Sequence, residues 1–580
     1  MLGDLYLTSE SQAPKLKLAL LVDDLHLQAV FAEAIDHIRA SSFAEIVLVV
    51  RNGAPASGKS GSASLASRAA KFVRSPKLRH AIVYALYVKF DAWRTYKADL
   101  DPTRLVDCSQ RLAGVEEIRV VPEQNGAVHR FPQAAIDAIR ARDIDVIVRF
   151  GFNILKGDIL TAARYGIWSF HHGDNDFYRG LPPYMWELLE DNPRCGAILQ
   201  ILGDDLDNGL VLAKGQYASE GGLSLFRNRI APYWGSVHFL IWKLKELHER
   251  GFAFLQARAV PPAPYRGLRR LYGKPRNREM LGWLWRMLKR KVPDRFPRRA
   301  LHWMTAIRRR TAEPALRPAA RTADLSGFRF IMAPNGHFYA DPFLFAHEGR
   351  TFLFLEDFSY AESRGDIAVM DVTDEVPDTA RICLSTGSHL SYPFVFSHDG
   401  AIYMIPESLA AGEVALYRAE VFPDRWVKTH VLFRGAVVDT TPWFENGVWY
   451  FFVTFIVPGT EAVALHLFIA DGLTEPWRPH PASPLSHDVR DARGAGRLFR
   501  QNGGLFRPAQ DCSGTYGRAI RVFQVDALTP DTYAEHFVLE VGPDAVPDFA
   551  DRPAEGIHTY DDAGGFEVID AKFKLPVGSF

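Results

Sequence analysis

A histidine and an aspartate lie on two polar segments in the first half of the chain, at a spacing that could support acyl transfer. Residues 169–180 read Ser-Phe-His-His-Gly-Asp-Asn-Asp-Phe-Tyr-Arg-Gly, and residues 203–209 read Gly-Asp-Asp-Leu-Asp-Asn-Gly. The imidazole of His171 can donate to a developing oxyanion and move protons, while Asp207 orients it or accepts a proton. The alternative is structural: His171 caps the end of a strand and Asp207 holds a turn.

Alternating strands and helices from residue 16 to about 215 predict the sheet that would bring these segments together. Continuous apolar strands separated by helices indicate a parallel sheet covered on both faces, and thus an α/β, Rossmann-like domain. Residues 60–115 fit this pattern poorly and are interpreted as a helical insertion. The predicted strands are 16–22, 45–50 and 145–150, and the predicted helices are 27–40 and 133–142.

The second half of the chain has the pattern of an all-β domain. From about residue 326, strand-like runs recur roughly every ten residues, and Asp399-Gly and Asn446-Gly are hairpin signals. Four segments echo one another loosely, which favours the radial blades of a propeller over a sandwich. These segments are Ala340-Asp-Pro-Phe-Leu-Phe345, Ser391-Tyr-Pro-Phe-Val-Phe396, Asp439-Thr-Thr-Pro-Trp-Phe444 and Asn502-Gly-Gly-Leu-Phe506.

Length and composition limit the class of protein. A chain of 580 residues exceeds one hydrophobic core, and equal numbers of basic and acidic residues, 68 each, give no overall charge that favours nucleic acid. Four widely spaced cysteines without a CxxC pair are typical of reduced thiols. The first residues lack the pattern of a signal peptide, and no apolar run reaches the ~18 residues of a spanning helix. We therefore expect a cytoplasmic protein, or one peripheral to the inner face of the membrane.

Residues 53–60, Gly-Ala-Pro-Ala-Ser-Gly-Lys-Ser, match the phosphate-binding loop pattern after a predicted strand. The residues that follow are a weak helix start, and no later apolar strand ends in an aspartate suited to hold magnesium. The match also lies in a Gly/Ser-rich stretch, where it can arise from composition alone. We predict a flexible loop here and not a site of nucleotide hydrolysis.

A basic segment, residues 266–310, lies between the two halves. It carries sixteen Lys and Arg residues against two acids, with Trp283, Trp285 and Trp303 among them. The favoured interpretation is a solvated linker that packs on one domain through its tryptophans. The alternatives are a surface that lies on anionic lipid, since basic faces with interfacial aromatic residues favour that, and binding to RNA.

The first half resembles the folate-dependent formyltransferases, the family of methionyl-tRNA and sugar N-formyltransferases. Ser169-Phe-His171 and Arg179-Gly180 match the two ends of the family motif Asn-x-His-x-Ser-Leu-Leu-Pro-x-x-x-Gly, and Leu206-Asp-Asn-Gly209 matches its second loop. The resemblance implies 10-formyltetrahydrofolate as cofactor and His171, Asp207 and Ser169 as catalytic residues. It implies cofactor binding by Phe150, Gly151, Asn153, Arg179, Gly180 and Leu206.

One departure from that family concerns an oxyanion donor. The family has asparagine where this chain has Ser169, and loss of one such donor typically costs about 2.7–4 kcal/mol of transition-state stabilisation. Asn153 or Asn175 could substitute for the missing amide.

The second half resembles the five-bladed propeller of family-43 glycoside hydrolases and, more closely, the N-terminal part of plant glucosamine inositolphosphorylceramide transferases. The resemblance covers about 326–575 and implies Asp341 as general base, with Glu407 and Asp439 as acid and orienter. Alternatively, Asp341 and Asp439 hold inter-blade turns through backbone amides, or the funnel binds glycan without hydrolysing it. The matching segments are 339–343, 405–408, 438–442, 488–497, 507–511 and 556–559.

Together these resemblances predict three regions: a formyltransferase-like domain at 1–258, a basic linker at 259–325 and a five-bladed propeller at 326–580. The function they imply is formyl transfer to the amine of an amino sugar in glycan or glycolipid synthesis. The propeller would bind or process that glycan, with a nucleotide-linked or lipid-linked sugar as the substrate. The alternatives are glycan processing in the propeller beside a degenerate formyltransferase scaffold, and a protein that only binds glycan. No metal and no nucleic-acid partner are expected.

Overall fold

The computed structural model describes residues 5–54, 79–219, 224–291, 299–374, 379–457, 459–460 and 462–576. The chain divides into two compact units, Met1–Met287 and Leu288–Phe580. Residues 55–60 of the phosphate-loop match lie outside the described residues, as does the first part of the predicted helical insertion.

The first unit is built on a seven-stranded sheet of order β12-β11-β10-β8-β1-β3-β5, with β1, β3, β5, β8 and β10 parallel and β11 and β12 antiparallel at one edge. The central strands are buried on both faces because helices cover them. The strands of this unit are β1 (Leu16–Val22), β2 (His26–Gln28), β3 (Ala44–Asn52), β4 (Leu105–Asp107), β5 (Glu116–Val120), β6 (Glu123–Asn125), β7 (Val128–Arg130), β8 (Val146–Arg149), β9 (Ile154–Leu155), β10 (Ile167–His171), β11 (Arg194–Ile201) and β12 (Leu210–Ala218).

The predicted strands and helices of this unit are confirmed to within a few residues, and so is the α/β class. The predicted insertion is only partly helical where it is described, since it contains one helix of fourteen residues and strand β4. The helices are α1 (Ala29–Ala40), α2 (Ile82–Thr95), α3 (Gln133–Arg140), α4 (Met185–Leu189), α5 (Leu225–Ser236), α6 (His238–Arg250), α7 (Phe252–Arg258) and α8 (Asn277–Lys291).

The second unit is a five-bladed β-propeller, as the sequence predicted. Four blades follow one another as β17–β20, β21–β24, β25–β28 and β29-β31-β32-β33, and the fifth has the order β16-β13-β35-β34. The strands are β13 (Arg299–Arg309), β14 (Leu316–Arg317), β15 (Thr322–Ala323), β16 (Arg329–Phe330), β17 (His337–His347), β18 (Arg350–Ser359), β19 (Arg364–Asp371), β20 (Arg381–Leu384), β21 (Ser391–His398), β22 (Ala401–Glu407), β23 (Glu413–Val421), β24 (Arg425–Arg434), β25 (Val437–Glu445), β26 (Val448–Ile456), β27 (Val463–Ala470), β28 (Arg478–Pro479), β29 (Arg493–Gly494), β30 (Phe499–Gln501), β31 (Gly504–Asp511), β32 (Ala519–Leu528), β33 (Tyr533–Val541), β34 (Ala554–Ala563) and β35 (Phe566–Pro576).

The fifth blade closes the propeller by joining its two ends. Strand β13 pairs antiparallel with β35 along its whole length, from Arg299 with Pro576 to Arg309 with Phe566. The propeller therefore begins at 299 and not at 326. Residues 259–287 belong to the first unit, where Val260 pairs with Val211 and Tyr272 with Gly180. The boundaries predicted for the linker, 259–325, were wrong. Its first part pairs with the first unit, and its last part, from residue 299, forms strands of the propeller.

All four cysteines are buried free thiols, which agrees with the absence of a disulfide pattern in the sequence. Within the described residues, the helices are too short or too polar to cross a bilayer.

Candidate functional site

Strand β10 and the loop after β11 bring His171 and Asp207 together, as predicted. His171 is the last residue of β10, and Asp207 lies in the connection from β11 to β12 with a positive φ of 51°. The ring nitrogen Nδ1 lies 3.4 Å from Oδ1 of Asp207. Both groups are mostly buried, with 9% and 21% of their side chains exposed. A histidine that only capped the end of a strand would not need Asp207 as a partner.

The contacts of the His171 ring favour its protonated form. Nε2 donates to the backbone carbonyl oxygen of Tyr178 at 2.9 Å, so both ring nitrogens face acceptors. Burial alone would lower the pKa of His171, but the charge of Asp207 and the hydrogen bonds raise it overall. The pKa of Asp207 is correspondingly lowered, against the effect of its burial, by His171 and by two nearby arginines. Both shifts therefore favour the charged pair of an imidazolium and a carboxylate.

A partly buried arginine lies beside Ser169, the residue at the position where the formyltransferase motif has asparagine. Arg149 ends strand β8 and is paired in register with Ser169 on β10. Its Nη1 donates to the hydroxyl of Ser169 at 2.8 Å, and its Nε is buried with no hydrogen-bond partner among the described residues. Burial lowers the pKa of Arg149, while Asp207 and Asp23 oppose that shift. The sequence analysis did not identify this residue.

The loop after His171 is fixed by a buried acid. Asp174 accepts from Lys214 at 2.6 Å and from Gln216 at 2.7 Å, both on β12. His172 points into an aromatic cluster and stacks on Tyr233 at 3.8 Å between ring centroids. Burial lowers the pKa of His172 to about 3, so its ring is neutral and structural.

The predicted cofactor-binding residues fall into two groups: one lies on the loops that carry His171 and Asp207, and the other directly follows strand β8. Arg179 and Gly180 lie on the loop beside His171, where the Arg179 side chain donates to Asn208 at 3.3 Å. Leu206 is partly exposed in the Asp207 turn, and Gly151 approaches the end of β1 so closely that a Cβ would lie 2.3 Å from the amide nitrogen of Asp23. Phe150 stacks on Phe31 at 4.5 Å, and Asn153 contacts His129.

The two candidate replacements for the missing amide lie in different surroundings. The side chain of Asn153 lies 3.3 Å from the ring of His129. Oδ1 of Asn175, which is an acceptor, is buried and has no hydrogen-bond partner in the described part of the chain. The candidate site therefore comprises the pair His171–Asp207 and the Arg149–Ser169 contact.

In the propeller, three consecutive blades carry the same β-bulge on their first strand. The register shifts after Ala340, Ser391 and Val438, and the next residue in each case has a positive φ, between 47° and 50°. A non-glycine residue in this conformation costs roughly 1–2 kcal/mol, and bulges re-aim the side chain that they carry. The three residues in this position are Asp341, Tyr392 and Asp439.

Asp341 lies in a buried cluster with the fifth blade. It accepts from the Thr559 hydroxyl at 3.0 Å, and Nε2 of His558 lies 3.7 Å from the same oxygen. Asp570 holds the other side of the His558 ring at 2.7 Å. Burial, with the charges of Asp570 and Asp439, raises the pKa of Asp341 to about 7, although His558 opposes the shift. This carboxyl can therefore hold or release a proton near neutral pH.

The cluster also contains the residues that could hold a cation. One ligand atom from each of Asp341, His558 and Asp570 lies within 4.8 Å of the other two. Two of these residues, His558 and Asp570, are hydrogen-bonded to each other, and Asp341 accepts from the hydroxyl of Thr559.

The hydrogen bonds described for Asp439 and Glu407 go to partners other than Asp341. The carboxylate of Asp439 accepts from Nε of Arg493 at 2.7 Å, in a pair with only 3% and 15% of the side chains exposed. Glu407 accepts from the Ser391 hydroxyl at 2.8 Å and from the backbone amide of Leu409 at 2.9 Å. The catalytic roles assigned to these two residues therefore remain predictions.

The backbone amides at the blade junctions are held by two aspartates that the sequence analysis missed. Asp570 accepts from the amides of Asp341, His558 and Thr559, and Asp561 accepts from the amide of Leu344. The alternative that Asp341 holds these amides was wrong, because the amides donate to the carboxylate of Asp570.

Glu356 is a further buried acid of the propeller that the sequence analysis missed. Burial and the neighbouring carboxylates raise its pKa well above the ordinary range. Glu356 is paired with Ala340, the residue just before the bulge, and Glu407 is paired with Ser391 in the same position of the next blade. This repeated glutamate is a signal that the sequence contains. The arginines at 497 and 507 bind acids of the protein, at 561 and 535.

Comparisons with known proteins agree with this two-part architecture. Residues 305–543 match the family model described as glucosamine inositolphosphorylceramide transferase 1, N-terminal. The transferase of that name from Oryza sativa subsp. japonica is 37% identical over 205 residues, which are 34% of this chain and 28% of the rice protein. The chain thus spans less than a third of that relative.

A methionyl-tRNA formyltransferase from Synechococcus sp. (strain WH7803) is 36% identical over 80 residues, 14% of this chain and 23% of the enzyme. Among solved structures, a family 117 glycoside hydrolase from Zobellia galactanivorans is similar with a TM-score of 0.31 and 14% identity, covering 42% of this chain and 87% of the hydrolase. The resemblances to formyltransferases and to the plant transferases are confirmed by these matches.

Proposed function

We propose that the α/β unit transfers a formyl group from 10-formyltetrahydrofolate to the amine of an amino sugar, and that the propeller binds the glycan or glycolipid that carries it. The observation that carries this proposal is the buried pair of His171 and Asp207, 3.4 Å apart. Similarity to a methionyl-tRNA formyltransferase supports the reaction class, and similarity to plant transferases named for glucosamine supports the acceptor class.

The polar atoms around the pair suit an acyl donor. Nε of Arg149 and Oδ1 of Asn175 are buried with no hydrogen-bond partner among the described residues, so each can bind a group that enters the site. The Tyr178 carbonyl oxygen accepts from Nε2 of His171, as an acyl oxygen would. When bound, 10-formyltetrahydrofolate supplies the activated formyl group.

Each residue of the site then has a defined task. His171 donates from Nε2 to the oxygen on which negative charge develops, after the Tyr178 carbonyl has given way. Arg149 adds positive charge beside Ser169, where the resembling family has an amide donor. Asp207 would favour the charged form of the imidazole. It would also accept the proton that the sugar amine loses as its nitrogen bonds to the formyl carbon, and that proton would pass to the folate nitrogen when the bond from that nitrogen to the formyl carbon breaks. A hydrogen bond that must be exchanged on binding is common in unliganded active sites.

The test follows release of tetrahydrofolate when the full-length protein is mixed with 10-formyltetrahydrofolate and a panel of nucleotide-linked amino sugars. We expect release with the wild type and its loss in His171→Gln and Asp207→Asn. Asp204→Asn, an exposed acid of the same turn, is the matched control and should retain activity. Absence of release with every amine, together with absence of folate binding in equilibrium dialysis, would contradict the proposal.

A second candidate is glycan processing in the propeller, favoured by the raised pKa of Asp341. A carboxyl that titrates near 7 can serve as a general acid or base. Here we expect Asp341→Asn to abolish sugar release from glycolipid glycans while His171→Gln leaves it unchanged. Equal sugar release by wild type and Asp341→Asn would exclude this role.

A further inference from the structure

The polarity of helix α2 is the reverse of that of an ordinary surface helix. Its inward face carries Tyr87, Asp91 and Thr95, and Asp91 is only 2% exposed. Its outward face is apolar, although water would favour the opposite arrangement. The outward side chains and their exposed fractions are Ile82 at 36%, Leu86 at 60%, Phe90 at 53% and Trp93 at 81%.

Specific hydrogen bonds fix this orientation. The hydroxyl of Tyr87 accepts from the amide of Leu225, and the carboxylate of Asp91 accepts from the amide of Phe226, both at 2.9 Å. These are the first two amides of helix α5, which need acceptors from outside that helix. Rotating α2 to bury its apolar face would break both bonds and leave Asp91 without them. The exposure of the apolar face is therefore built into the fold.

Helix α8 packs against α2 on the side that carries Tyr87. The ring of Trp283 contacts Tyr87 edge-on at 5.2 Å, and Oδ1 of Asn277 accepts from the amide of Val83 at 3.0 Å. These contacts hold the apolar side chains of α2 on its other side. We define the outer face as Ile82, Leu86, Phe90 and Trp93 of α2.

The exposed Lys, Arg, Asp and Glu side chains within residues 79–97, the stretch that carries the outer face, are all basic. Residues 79–97 include four basic residues, Arg79, Lys89, Arg94 and Lys97. The acid in the same stretch is Asp91, whose carboxylate is turned inward and bound to a backbone amide. On α8, the acid Glu279 binds Arg269 at 2.8 Å. An apolar face with large aromatic residues and a basic border complements an anionic lipid surface.

We propose that the outer face binds the surface of an anionic phospholipid bilayer, with α2 lying in the plane of the interface. A helix of fourteen residues is about 21 Å long and too short for a hydrocarbon core of about 30 Å, so it lies on the membrane and does not cross it. This surface differs from the predicted segment 266–310, because Trp283 is buried and Trp303 stacks on His558 inside the propeller. Its main residues come from the insertion.

The test is flotation of the full-length protein with vesicles of phosphatidylcholine alone and of phosphatidylcholine mixed with phosphatidylserine. We expect the wild type to float with the mixed vesicles, and added salt to weaken its binding. The variant Leu86→Ser/Phe90→Ser/Trp93→Ser should lower the partition coefficient about tenfold or more, since each apolar side chain contributes to insertion. Lys89→Gln/Arg94→Gln/Lys97→Gln should reduce the preference for phosphatidylserine.

A matched control removes comparable apolar side chains elsewhere. Ile382, Val427 and Phe537 are 49%, 47% and 43% exposed on propeller strands, and their triple serine variant should float as the wild type does. Thermal unfolding checks that each variant is folded. Flotation that the α2 variant retains would overturn the proposal. The proposal would also be overturned if the wild type did not float and formed a dimer that is lost in the α2 variant. A second copy of the chain would then cover this face.

Discussion

Asp207→Asn should lower the pKa of His171. Nδ1 of His171 and Oδ1 of Asp207 lie 3.4 Å apart. Two unit charges at that distance attract by about 5 kcal/mol at an effective dielectric constant of about 20. Solvent reduces this value because 21% of the Asp207 side chain is exposed. Without the carboxylate, burial and the charge of Arg179 lower the pKa of His171, and the hydrogen bond to Tyr178 is the remaining contact that raises it.

The sign of the effect on stability follows from the two shifts. The raised pKa of His171 contributes stability that is complete below pH 6.5 and is lost as the pH rises through the pKa of the folded protein. The lowered pKa of Asp207 contributes stability that is complete above pH 3.8 and is lost as the pH falls through its folded value. The substitution should therefore lower the free energy of unfolding most between pH 3.8 and 6.5.

Selective labelling of histidine with ¹³C gives the measurement. The His171 resonance is assigned by its loss in His171→Gln, and its titration midpoint is compared between wild type and Asp207→Asn. Urea unfolding in the acidic window and above it measures the change in stability. Equal midpoints in the two proteins would refute the conclusion that Asp207 keeps His171 protonated.

Arg149→Leu should reduce kcat for formyl transfer by about 10²–10³, and Arg149→Lys should restore part of it; an unchanged rate in the leucine variant would exclude Arg149 from the reaction. Arg493→Met leaves Asp439 buried without its cation and should lower the free energy of unfolding in urea by about 3–5 kcal/mol. The exposed control Arg425→Met, whose partner is also exposed, should change it by less than about 1 kcal/mol. Because ionisation of Asp341 opposes folding as the pH rises from 3.8 to about 7, Asp341→Asn should raise Tm at neutral pH in calorimetry. A lower Tm would contradict that sign.

Elements with strong local patterns could be predicted from the sequence, and elements defined by distant partners could not. Strand β1 has the predicted bounds because every residue from 18 to 22 is fully buried and apolar. Strand β5, Glu-Glu-Ile-Arg-Val, lies at the sheet edge and is largely polar, so it gave no hydrophobic signal. The propeller start was misplaced because β13 pairs with β35, more than 250 residues away along the chain.

The residues of the candidate site also divide into those that local sequence motifs predict and those whose role depends on distant partners. His171 and Asp207 could be predicted because their loops carry family-like residues in the right order. Arg149 could not, because its role depends on the register that places it beside Ser169. Asp570 was missed for the same reason, since its three amide donors come from two strands of different blades.

The three repeated bulges indicate where the propeller can exchange a proton. Tyr392 is held through its hydroxyl by Thr441 at 2.9 Å, and Asp439 is neutralised by Arg493. Asp341 has no comparable cation in direct contact among the described residues, apart from the ring of His558 at 3.7 Å. Burial and the neighbouring carboxylates therefore raise the pKa of the Asp341 carboxyl to about 7. This junction is also where the closing blade meets the first, so a change in β13 or β35 that loosens closure should alter the titration of Asp341 before it alters the other two bulges.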